Sequence, residues 1–345
     1  MAFFPASKTI PYRNILIIKP GAVGDLLQMT PVIRALKQAS PAARITLLVG
    51  LESSASLFRH HPDITEVLVF DRTGAQRSRA SLFSFLGRVR KARYDLVLNF
   101  QRSNLRTWFI VAASLPARVL VYHKARGRVV HVVENYLETL APLSLPPAGT
   151  GLEFHPGKEA GDFARELLAR HGLSGHPLVA LNPGATHAVN RWPVRRFAEL
   201  ADLVAEGTQA RPVIIGGPGD RALADEIVAR SRSKPVSLAG STTLLQLGAV
   251  LRSCAVVVSG DTGPLHMATA VGTKVVALFG AADPGRTGPV GSHTRTIRAQ
   301  GVACVPCRSR ACSNTVSLEC MERITAEEVL AAVIALLPAR AEPTV

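Results

Sequence analysis

Short runs rich in β-branched residues alternate with amphipathic stretches along this chain, and the alternation occurs in two consecutive series. A strand–helix alternation of this kind predicts parallel sheets that are covered by helices on both faces. Two series therefore predict an α/β protein with two doubly wound, Rossmann-like domains. The predicted strands are Ile15–Ile18, Ile45–Val49, Val67–Phe70, Leu96–Asn99 and Val119–Tyr122 in the first series, and Val179–Asn182, Val213–Ile215, Val236–Leu238, Val256–Ser259 and Val275–Phe279 in the second.

The two series are separated by residues 143–157, a segment rich in proline and glycine. That composition is typical of a linker, so we expect domains at residues 1–150 and 151–345. The last helix should begin after Thr325, because Glu328 completes a capping-box pattern. That helix either stays with the second domain or packs back on the first. Ligands of open parallel sheets bind beyond the carboxyl ends of the strands, and two facing sheets would form a cleft there.

Positive charge is concentrated in the first half of the chain. Residues 1–150 contain 20 Lys and Arg against 8 Asp and Glu, whereas residues 151–345 contain 20 against 17. Such asymmetry favours an anionic partner: a nucleic acid, a membrane surface or a phosphorylated acceptor. A merely basic surface is the alternative. Aromatic residues make up only 5% of the chain, too few for a base-stacking platform, so we expect no nucleic acid partner.

The longest apolar runs, Val275–Phe279 and Val329–Leu337, are far shorter than the ~18 residues that a membrane span needs. The first residues lack the apolar stretch of a secretory signal. We therefore expect a cytoplasmic protein.

The loop after the first predicted strand reads KPGAVGD and has features of a ligand site. Gly21 and Gly24 permit close approach of a ligand to the backbone, and the following helix start favours anions. The loop matches neither the dinucleotide fingerprint nor the P-loop. Asp25 has two interpretations: the N-cap of the helix, or a carboxylate that accepts a proton from an attacking hydroxyl. Gln101, two residues after the end of the fourth predicted strand, belongs to the same edge.

Two loops of the second half could contact phosphate and ribose. After its first strand, Thr186 offers a hydroxyl and Arg191 offers a guanidinium that suits phosphate oxygens. After its second strand, Gly217 permits close approach and Asp220 could bind ribose hydroxyls. The alternatives are a solvated surface charge for Arg191 and a simple N-cap for Asp220. The neighbouring Trp192 is interpreted as a packing residue.

The most informative loop is SGDTGPLH, residues 259–266. Either Asp261 or Thr262 would cap a helix that Pro264 begins. The amides of Thr262 and Gly263 would then offer a positive helix end to a diphosphate. His266, one turn into the helix, is either a further donor or a buried structural histidine.

Five cysteines are present. Cys254 precedes an apolar run and is expected in the core. The other four follow the pattern Cys304-x2-Cys307-x4-Cys312-x7-Cys320. Three interpretations remain open for this group: a structural metal such as zinc, a redox-formed disulfide, or reduced thiols in a surface loop.

Taken together, these loops resemble glycosyltransferase family 9. The resemblance rests on ILIIKPGAVGDLLQMTPVIRALK, LNPGATHAVNRWPVRRFAEL, VIIGGPGD, SLAGSTTLLQLGAVL and VVSGDTGPLHMATAVGTKVVALFGAADP, in family order across roughly residues 14–330. Within that family the match is to the enzymes that transfer heptose from ADP-heptose to the lipopolysaccharide inner core. It implies a GT-B fold and transfer with inversion, without a required metal.

The resemblance also implies roles for individual residues. Asp25 would be the general base, Asp220 would lie near the nucleoside, and Thr262, Gly263 and His266 would lie near the donor diphosphate. Gly21, Gly24 and Gln101 would form the acceptor-side loop, while Thr186, Arg191, Gly217 and Asp261 would complete the donor side. Relatives usually have a lysine two residues before the Trp-Pro pair, where this chain has Asn190; Arg191 could take its place.

The acceptor that the resemblance implies is an anionic glycolipid at the inner membrane, which would account for the basic first half. One predicted helix has the apolar residues Leu82, Phe85, Leu86 and Val89 among many cations. Either these four residues face a membrane or they pack on the sheet while the cations alone face lipid. The cations are Arg77, Arg79, Arg88, Arg90, Lys91 and Arg93.

Two other functions are compatible with this fold class. A nucleotide-sugar 2-epimerase would act on the nucleotide sugar without any acceptor. A non-catalytic relative would bind an ADP-sugar and turn nothing over.

Overall fold

The structure is a computed structural model that describes residues 10–71, 74, 78–101 and 105–338. The chain divides into two compact units, Met1–His155 and Pro156–Val345, called unit 1 and unit 2 below. Among the described residues, no helix combines the length and the apolar character that crossing a bilayer requires.

Unit 1 contains one parallel sheet of five strands in the order β3-β2-β1-β4-β5. The central strand β1 pairs with β2 on one side and with β4 on the other, so that Ile15 lies beside Ile45 and Leu96. Because helices cover both faces, β1, β2 and β4 are buried almost completely. The strands are β1 Asn14–Ile18, β2 Arg44–Val49, β3 Glu66–Val69, β4 Leu96–Asn99 and β5 Arg118–Val121.

The described residues of unit 1 form six helices, together with a 3₁₀ segment at Glu138–Leu143. The amphipathic pattern of the sequence predicts one helix at Leu26–Gln38, and this prediction is wrong in one respect, because two helices occupy the stretch. Pro31 lies in the first turn of the second helix, where its missing amide is tolerated. The helices are α1 Val23–Leu27, α2 Thr30–Ala39, α3 Glu52–Ser56, α4 Arg79–Lys91, α5 Leu105–Ser114 and α6 Val132–Leu137.

The packing of helix α4 decides whether its apolar residues face a membrane or the sheet. Phe85 and Val89 are buried in the cluster between α4 and the sheet, and Leu82 and Leu86 pack against it. The expectation that these four residues face a membrane is therefore wrong, and the packing interpretation is confirmed. The cations Arg79, Arg88, Arg90, Lys91 and Arg93 are exposed, whereas Arg77 lies outside the described residues.

The predicted linker is hydrogen-bonded to Arg34 of α2. The Arg34 guanidinium donates hydrogen bonds to the carbonyl oxygens of Ala148, Gly149 and Gly151 at 2.9, 3.2 and 2.8 Å. It also forms an ion pair with Glu153. Proline and glycine therefore shape a segment that follows one fixed path over unit 1 as far as His155.

Unit 2 contains a second parallel sheet, in the order β11-β10-β9-β6-β7-β8. The ten strands predicted for the two sheets lie within a residue or two of those found. The edge strand β11 was not predicted, because its TRTI sequence is half-exposed and lacks a buried run. The strands are β6 Leu178–Asn182, β7 Arg211–Ile214, β8 Val236–Ser237, β9 Val256–Gly260, β10 Lys274–Leu278 and β11 Thr294–Ile297.

Up to residue 338, where the described part of the chain ends, unit 2 has eight helices around this sheet, with 3₁₀ segments at Ala188–Asn190 and Pro218–Asp220. The Thr325 side chain accepts a hydrogen bond from the Glu328 amide, as predicted, and α14 packs on α8 and β10. The helices are α7 Lys158–Arg170, α8 Val194–Gly207, α9 Arg221–Arg230, α10 Leu244–Arg252, α11 Gly263–Ala270, α12 Pro284–Thr287, α13 Glu319–Glu322 and α14 Ala326–Leu336.

Both sheets reverse their strand order at one point. The chain proceeds from β1 outward through β2 and β3, then returns to add β4 on the other side of β1. In unit 2 the same reversal separates β6 from β9. Loops diverge at such a switch point and leave a crevice at the carboxyl edge of the sheet. The predicted site residues follow β1 and β4 in unit 1, and β6, β7 and β9 in unit 2.

Candidate active site

Asp25 lies at the switch point of unit 1, in the loop that follows β1. It is the third residue of α1, whose N-cap is Ala22, and it caps no helix amide. The N-cap interpretation of Asp25 is therefore wrong. Its side chain is 45% exposed, so the carboxylate is accessible to a ligand. Gly21 lies directly beneath it, since a Cβ at Gly21 would be 3.1 Å from Asp25 Oδ2.

Two side chains that sequence reasoning missed surround this carboxylate. Lys19 Nζ lies 3.4 Å from Asp25 Oδ2, although the lysine side chain is only 8% exposed. Tyr136 Oη donates to Asp25 Oδ1 at 3.5 Å. Burial, and secondly the Asp25 charge, raise the pKa of Tyr136 far above its usual value. Tyr136 therefore stays a neutral phenol that can donate a hydrogen bond.

Three aromatic side chains pack together next to Asp25. The rings of Phe100, Tyr122 and Tyr136 contact one another with centroids 5.1 to 5.8 Å apart. Burial, followed by the Asp25 charge, also raises the pKa of Tyr122. Gln101 follows Phe100, and its amide donates to Asn99 Oδ1 at 2.9 Å. The loop after β4 is thus held at the edge next to the loop after β1.

In unit 2 the loops after β6 and β9 are joined by Asn182, another residue that the sequence did not single out. Its Nδ2 donates to Ser259 Oγ at 2.9 Å and to Thr262 Oγ1 at 3.0 Å. The two hydroxyl oxygens are 3.1 Å apart. Asn182 and Ser259 are both buried. This network fixes the start of α11 relative to the central strand of the sheet.

Helix α11 begins as expected for an anion site. Thr262 is the N-cap, Gly263 is the first helical residue and Pro264 is the second; no side chain caps this helix start. Capping by Asp261 is therefore wrong. Asp261 instead accepts a hydrogen bond from Thr287 Oγ1 at 2.9 Å, and its other oxygen lies 3.5 Å from His266 Nε2. His266 is only 4% exposed.

Asp220 connects the loops after β6 and β7. Asp220 is the N-cap residue of α9, as one interpretation expected, but its side chain caps no amide of that helix. Its carboxylate instead accepts a hydrogen bond from the Gly217 amide at 2.8 Å. A Cβ at Gly184 would lie 2.4 Å from the Asp220 Cγ, so only glycine permits this contact. Asp220 thus lies against the backbone of the loop that follows β6.

Arg191 is half-buried. Its guanidinium donates to the Ala185 carbonyl oxygen at 2.9 and 3.2 Å, which positions it over the loop that contains the exposed Thr186.

Trp192 is buried, and its Nε1 donates to the Ile324 carbonyl oxygen at 3.0 Å. The packing interpretation of Trp192 is confirmed. Asn190 approaches β9 through its backbone, since its carbonyl oxygen would be 2.5 Å from a Cβ at Gly260.

The sequence pattern of glycosyltransferase family 9 (heptosyltransferase) matches residues 82–317, which is more than half of the chain. The chain belongs to glycosyltransferase family 9. The resemblance expected from the loops is thereby confirmed, and so is transferase activity.

Individual proteins resemble this glycosyltransferase along nearly its whole length. Lipopolysaccharide heptosyltransferase 3 of Escherichia coli K12 is 29% identical over 339 residues, covering 91% of this chain and 95% of the relative. A family 9 glycosyltransferase structure from Veillonella parvula superposes with a TM-score of 0.84 at 24% identity, covering 96% and 98% of the two chains. The ADP-heptose lipopolysaccharide heptosyltransferase II of E. coli gives 0.76 at 21% identity, covering 94% and 98%. These structures confirm the GT-B fold class.

The glycosyltransferase also contains the predicted cysteine group. Cys304, Cys307, Cys312 and Cys320 are free thiols that line one small cavity. The Leu318 amide donates to Cys312 Sγ at 3.3 Å, and this contact lowers the pKa of Cys312. Burial, and then the neighbouring thiols, raise the pKa of Cys320.

Cys254 is in the core, as expected, and burial raises its pKa to about 12.

Proposed function

We propose that this enzyme transfers heptose from ADP-heptose to an acceptor in the inner core of lipopolysaccharide, with inversion at the anomeric carbon and Asp25 as the general base. The observation that carries the proposal is an accessible carboxylate at the switch point of unit 1 in a chain of glycosyltransferase family 9. The names of its E. coli relatives support ADP-heptose as the donor and lipopolysaccharide as the acceptor.

The surroundings of Asp25 suit a base. Lys19 and Tyr136 each contact one carboxylate oxygen, so the side chain is oriented before any substrate binds. A carboxylate that is both oriented and 45% exposed can reach the hydroxyl of an incoming sugar.

The proposed step is a single in-line displacement. The acceptor hydroxyl oxygen forms a bond to the anomeric carbon while the bond from that carbon to the phosphate oxygen breaks. The hydroxyl proton passes to Asp25, and ADP leaves with the electron pair of the broken bond. The charge that develops on the leaving diphosphate requires preorganised positive groups.

Unit 2 has groups suited to that second task. The first-turn amides of α11, at Thr262 and Gly263, have no side-chain cap and offer a positive helix end. We assign the diphosphate to this helix start, with His266 and Arg191 nearby as further donors. Asp220, between two glycine-rich loops, is assigned to the nucleoside. No metal ion is needed in this scheme.

The base assignment is tested with Asp25→Asn, which keeps the shape of the side chain and removes its capacity to take a proton. We expect acceptor-dependent release of ADP from ADP-heptose to fall by roughly 10²- to 10⁴-fold. ADP binding, measured by calorimetry, should change less than about twofold, because a charge-neutral side chain in unit 1 leaves the α11 contacts intact. Asp225→Asn, an exposed carboxylate on α9, is the matched control and should retain full turnover.

Three results would contradict the proposal. Undiminished turnover by Asp25→Asn removes this residue from the base role. Conversion of ADP-heptose without any acceptor indicates an isomerase. ADP binding with no turnover on any lipopolysaccharide core indicates a non-catalytic relative.

We also propose that the four clustered thiols bind one zinc ion as a structural site. Four thiolates are the usual ligand set of closed zinc sites. The four described cysteines line one cavity without forming a group whose sulfur atoms all lie within 4.8 Å of one another, so zinc binding would draw them together. An amide bonded to Cys312 stabilises the thiolate that a metal needs. Purified enzyme should contain one equivalent of metal by mass spectrometry. Cys304→Ser/Cys307→Ser should lose it, whereas Cys254→Ser should not. Metal-free wild-type enzyme of unchanged stability would refute this site.

A further inference from the structure

Helix α5 is apolar on both of its faces. Its inner face contributes Ile110 and Val111 to the core cluster beneath α4. Its outer face is also apolar, since Leu105 is 77% exposed and Phe109 is 66% exposed. These two residues are four positions apart and so share one face of the helix. Ala112, three positions further on, continues this face and is exposed as well.

The exposed apolar surface extends beyond α5 itself. Leu115, just after the helix, is 63% exposed, and Phe83 on the packed neighbour α4 is 70% exposed. On α5 itself Leu105, Trp108, Phe109 and Ala112 are exposed together with the charged Arg106, and grouped apolar side chains on a protein surface mark an interaction site. We call Phe83, Leu105, Phe109 and Leu115 the α5 surface.

A cationic cleft adjoins the α5 surface. The cleft has a volume of about 510 Å³ and shares Leu115 with that surface. Among the described residues that line it, Asp95 is the one carboxylate, and it accepts hydrogen bonds from the backbone amides of Arg13 and Asn14 at 2.7 and 3.1 Å. The charge of Asp95 is thus directed to the start of β1, and the cleft keeps a net positive charge. It is lined by Arg90, Lys91, Arg93, Tyr94, Asp95, Ser114, Leu115 and Ala117.

From this juxtaposition we infer that the α5 surface and its cationic cleft form the site by which the enzyme docks on an anionic lipid bilayer. The apolar side chains enter the headgroup region, and Arg90, Lys91 and Arg93 contact lipid phosphates. Apolar residues together with adjacent cations are the combination that interfacial helices use. Charge complementarity favours a bilayer over a protein partner, because lipid headgroups supply anions at every point of the surface.

The cationic cleft is distinct from the candidate active site, whereas the start of α5 lies near Gln101, since Thr107 Oγ1 donates to the Gln101 carbonyl oxygen at 3.0 Å. The cleft lies at the carboxyl ends of α4 and α5, beside Asp95 at the start of β4, whereas Asp25 and Gln101 follow the opposite ends of β1 and β4. The use of this site in catalysis rests on the proposed function: a docked enzyme would meet its lipid-linked acceptor in the plane of the membrane. The surface itself is inferred without that premise.

The test uses the full-length enzyme and vesicles of phosphatidylglycerol and phosphatidylcholine, with pure phosphatidylcholine vesicles for comparison. The chain has two tryptophans. Trp108 on α5 is 37% exposed, whereas Trp192 is 2% exposed in unit 2. We expect anionic vesicles to shift the emission to shorter wavelength through Trp108, and lipids brominated near the headgroup to quench it. Neutral vesicles should have a much smaller effect.

Two variants separate the contributions. Neutralising the cleft with Arg90→Gln/Lys91→Gln/Arg93→Gln should weaken vesicle binding by roughly a hundredfold, at about fivefold for each cation. Leu105→Ser/Phe109→Ser should weaken it by roughly tenfold or more and abolish quenching by brominated lipid.

Matched controls come from unit 2. Val316→Ser/Ile334→Ser changes two other exposed apolar residues, and Arg170→Gln changes another exposed cation. Both should bind vesicles like the wild type. Because every substituted side chain is at the surface, melting temperatures should differ little among the variants.

Wild-type binding by Leu105→Ser/Phe109→Ser would overturn the inference. A second result would also overturn it: the wild type sediments as a dimer, the variant sediments as a monomer, and vesicle binding is the same for both. The α5 surface would then join two copies of the chain. Transfer to a soluble, deacylated acceptor separates the two proposals. Variants of the docking site should keep that activity, whereas failure of the proposed function would abolish it for every protein, the wild type included.

Discussion

Acidification should destabilise this enzyme through one buried histidine. His61 is only 5% exposed, and its Nδ1 accepts the Asp63 amide at 3.2 Å. His155 and the Glu153 carboxylate face its ring, and Arg34 lies behind Glu153. Burial, and secondly the neighbouring His155, lower the pKa of His61 from 6.5 to about 4; the opposing attraction of Glu153 is smaller.

The size of the effect follows from these two pKa values. Between pH 6.5 and pH 4 the unfolded chain takes up a proton at this position while folded His61 stays neutral. The free energy of unfolding therefore falls as the pH falls through this window, and is fully retained above it. At pH 5 the loss from His61 alone is about 2 kcal/mol.

Urea denaturation at pH 7.5, 6.0 and 5.0, followed by circular dichroism, measures this loss. In His61→Gln the side chain cannot be protonated, so the variant should lose about 2 kcal/mol less than the wild type between pH 7.5 and pH 5.0. Comparing the two pH dependences cancels the contribution of all other titrating groups. His176→Gln, which alters an exposed histidine, should behave like the wild type. Equal pH dependence for His61→Gln and the wild type would refute the reasoning.

Three further substitutions test the packing. Gly260→Ala should destabilise the fold by about 1–3 kcal/mol and weaken ADP binding, because the new Cβ would meet the Asn190 carbonyl oxygen, a backbone atom, at 2.5 Å; calorimetry measures both effects. Gly87→Ala, where no atom lies within 4 Å of the new Cβ, should stabilise α4 by up to about 1 kcal/mol, and a lower melting temperature would contradict this. Thr325→Ala removes the acceptor of the Glu328 amide and should cost about 0.5–2 kcal/mol in urea denaturation, whereas an unchanged midpoint would show that the cap contributes nothing.

Much of the fold could be predicted because buried parallel strands have a distinct local signature. Continuous runs such as Val256–Ser259 locate a strand without knowledge of its neighbours. Strand β11 was missed because Ile297 alone of its four residues is buried, so its sequence lacks the apolar run that marks the other strands. The break between α1 and α2 had a signal in Pro31 that the continuous apolar periodicity obscured.

The candidate site was predictable only where its residues are local to a strand end. Asp25 and the loop at residues 259–266 follow buried strands directly, so topology alone places them at the carboxyl edge. Tyr136 lies 111 residues from Asp25 along the chain, and nothing in its local sequence indicates the contact. Asn182 was overlooked for another reason, since an asparagine after a strand usually indicates a turn and not a hydrogen-bonded link to β9.

The buried hydrogen bond from Trp192 to the Ile324 carbonyl has a practical consequence for work with this chain. The stretch that leads into α14 supports, through that indole, the loop on which Arg191 lies. A chain shortened to end before Ile324 would leave the indole N–H without an acceptor inside the protein. We therefore expect such a truncation to impair nucleotide binding even though every residue assigned to the nucleotide is still present.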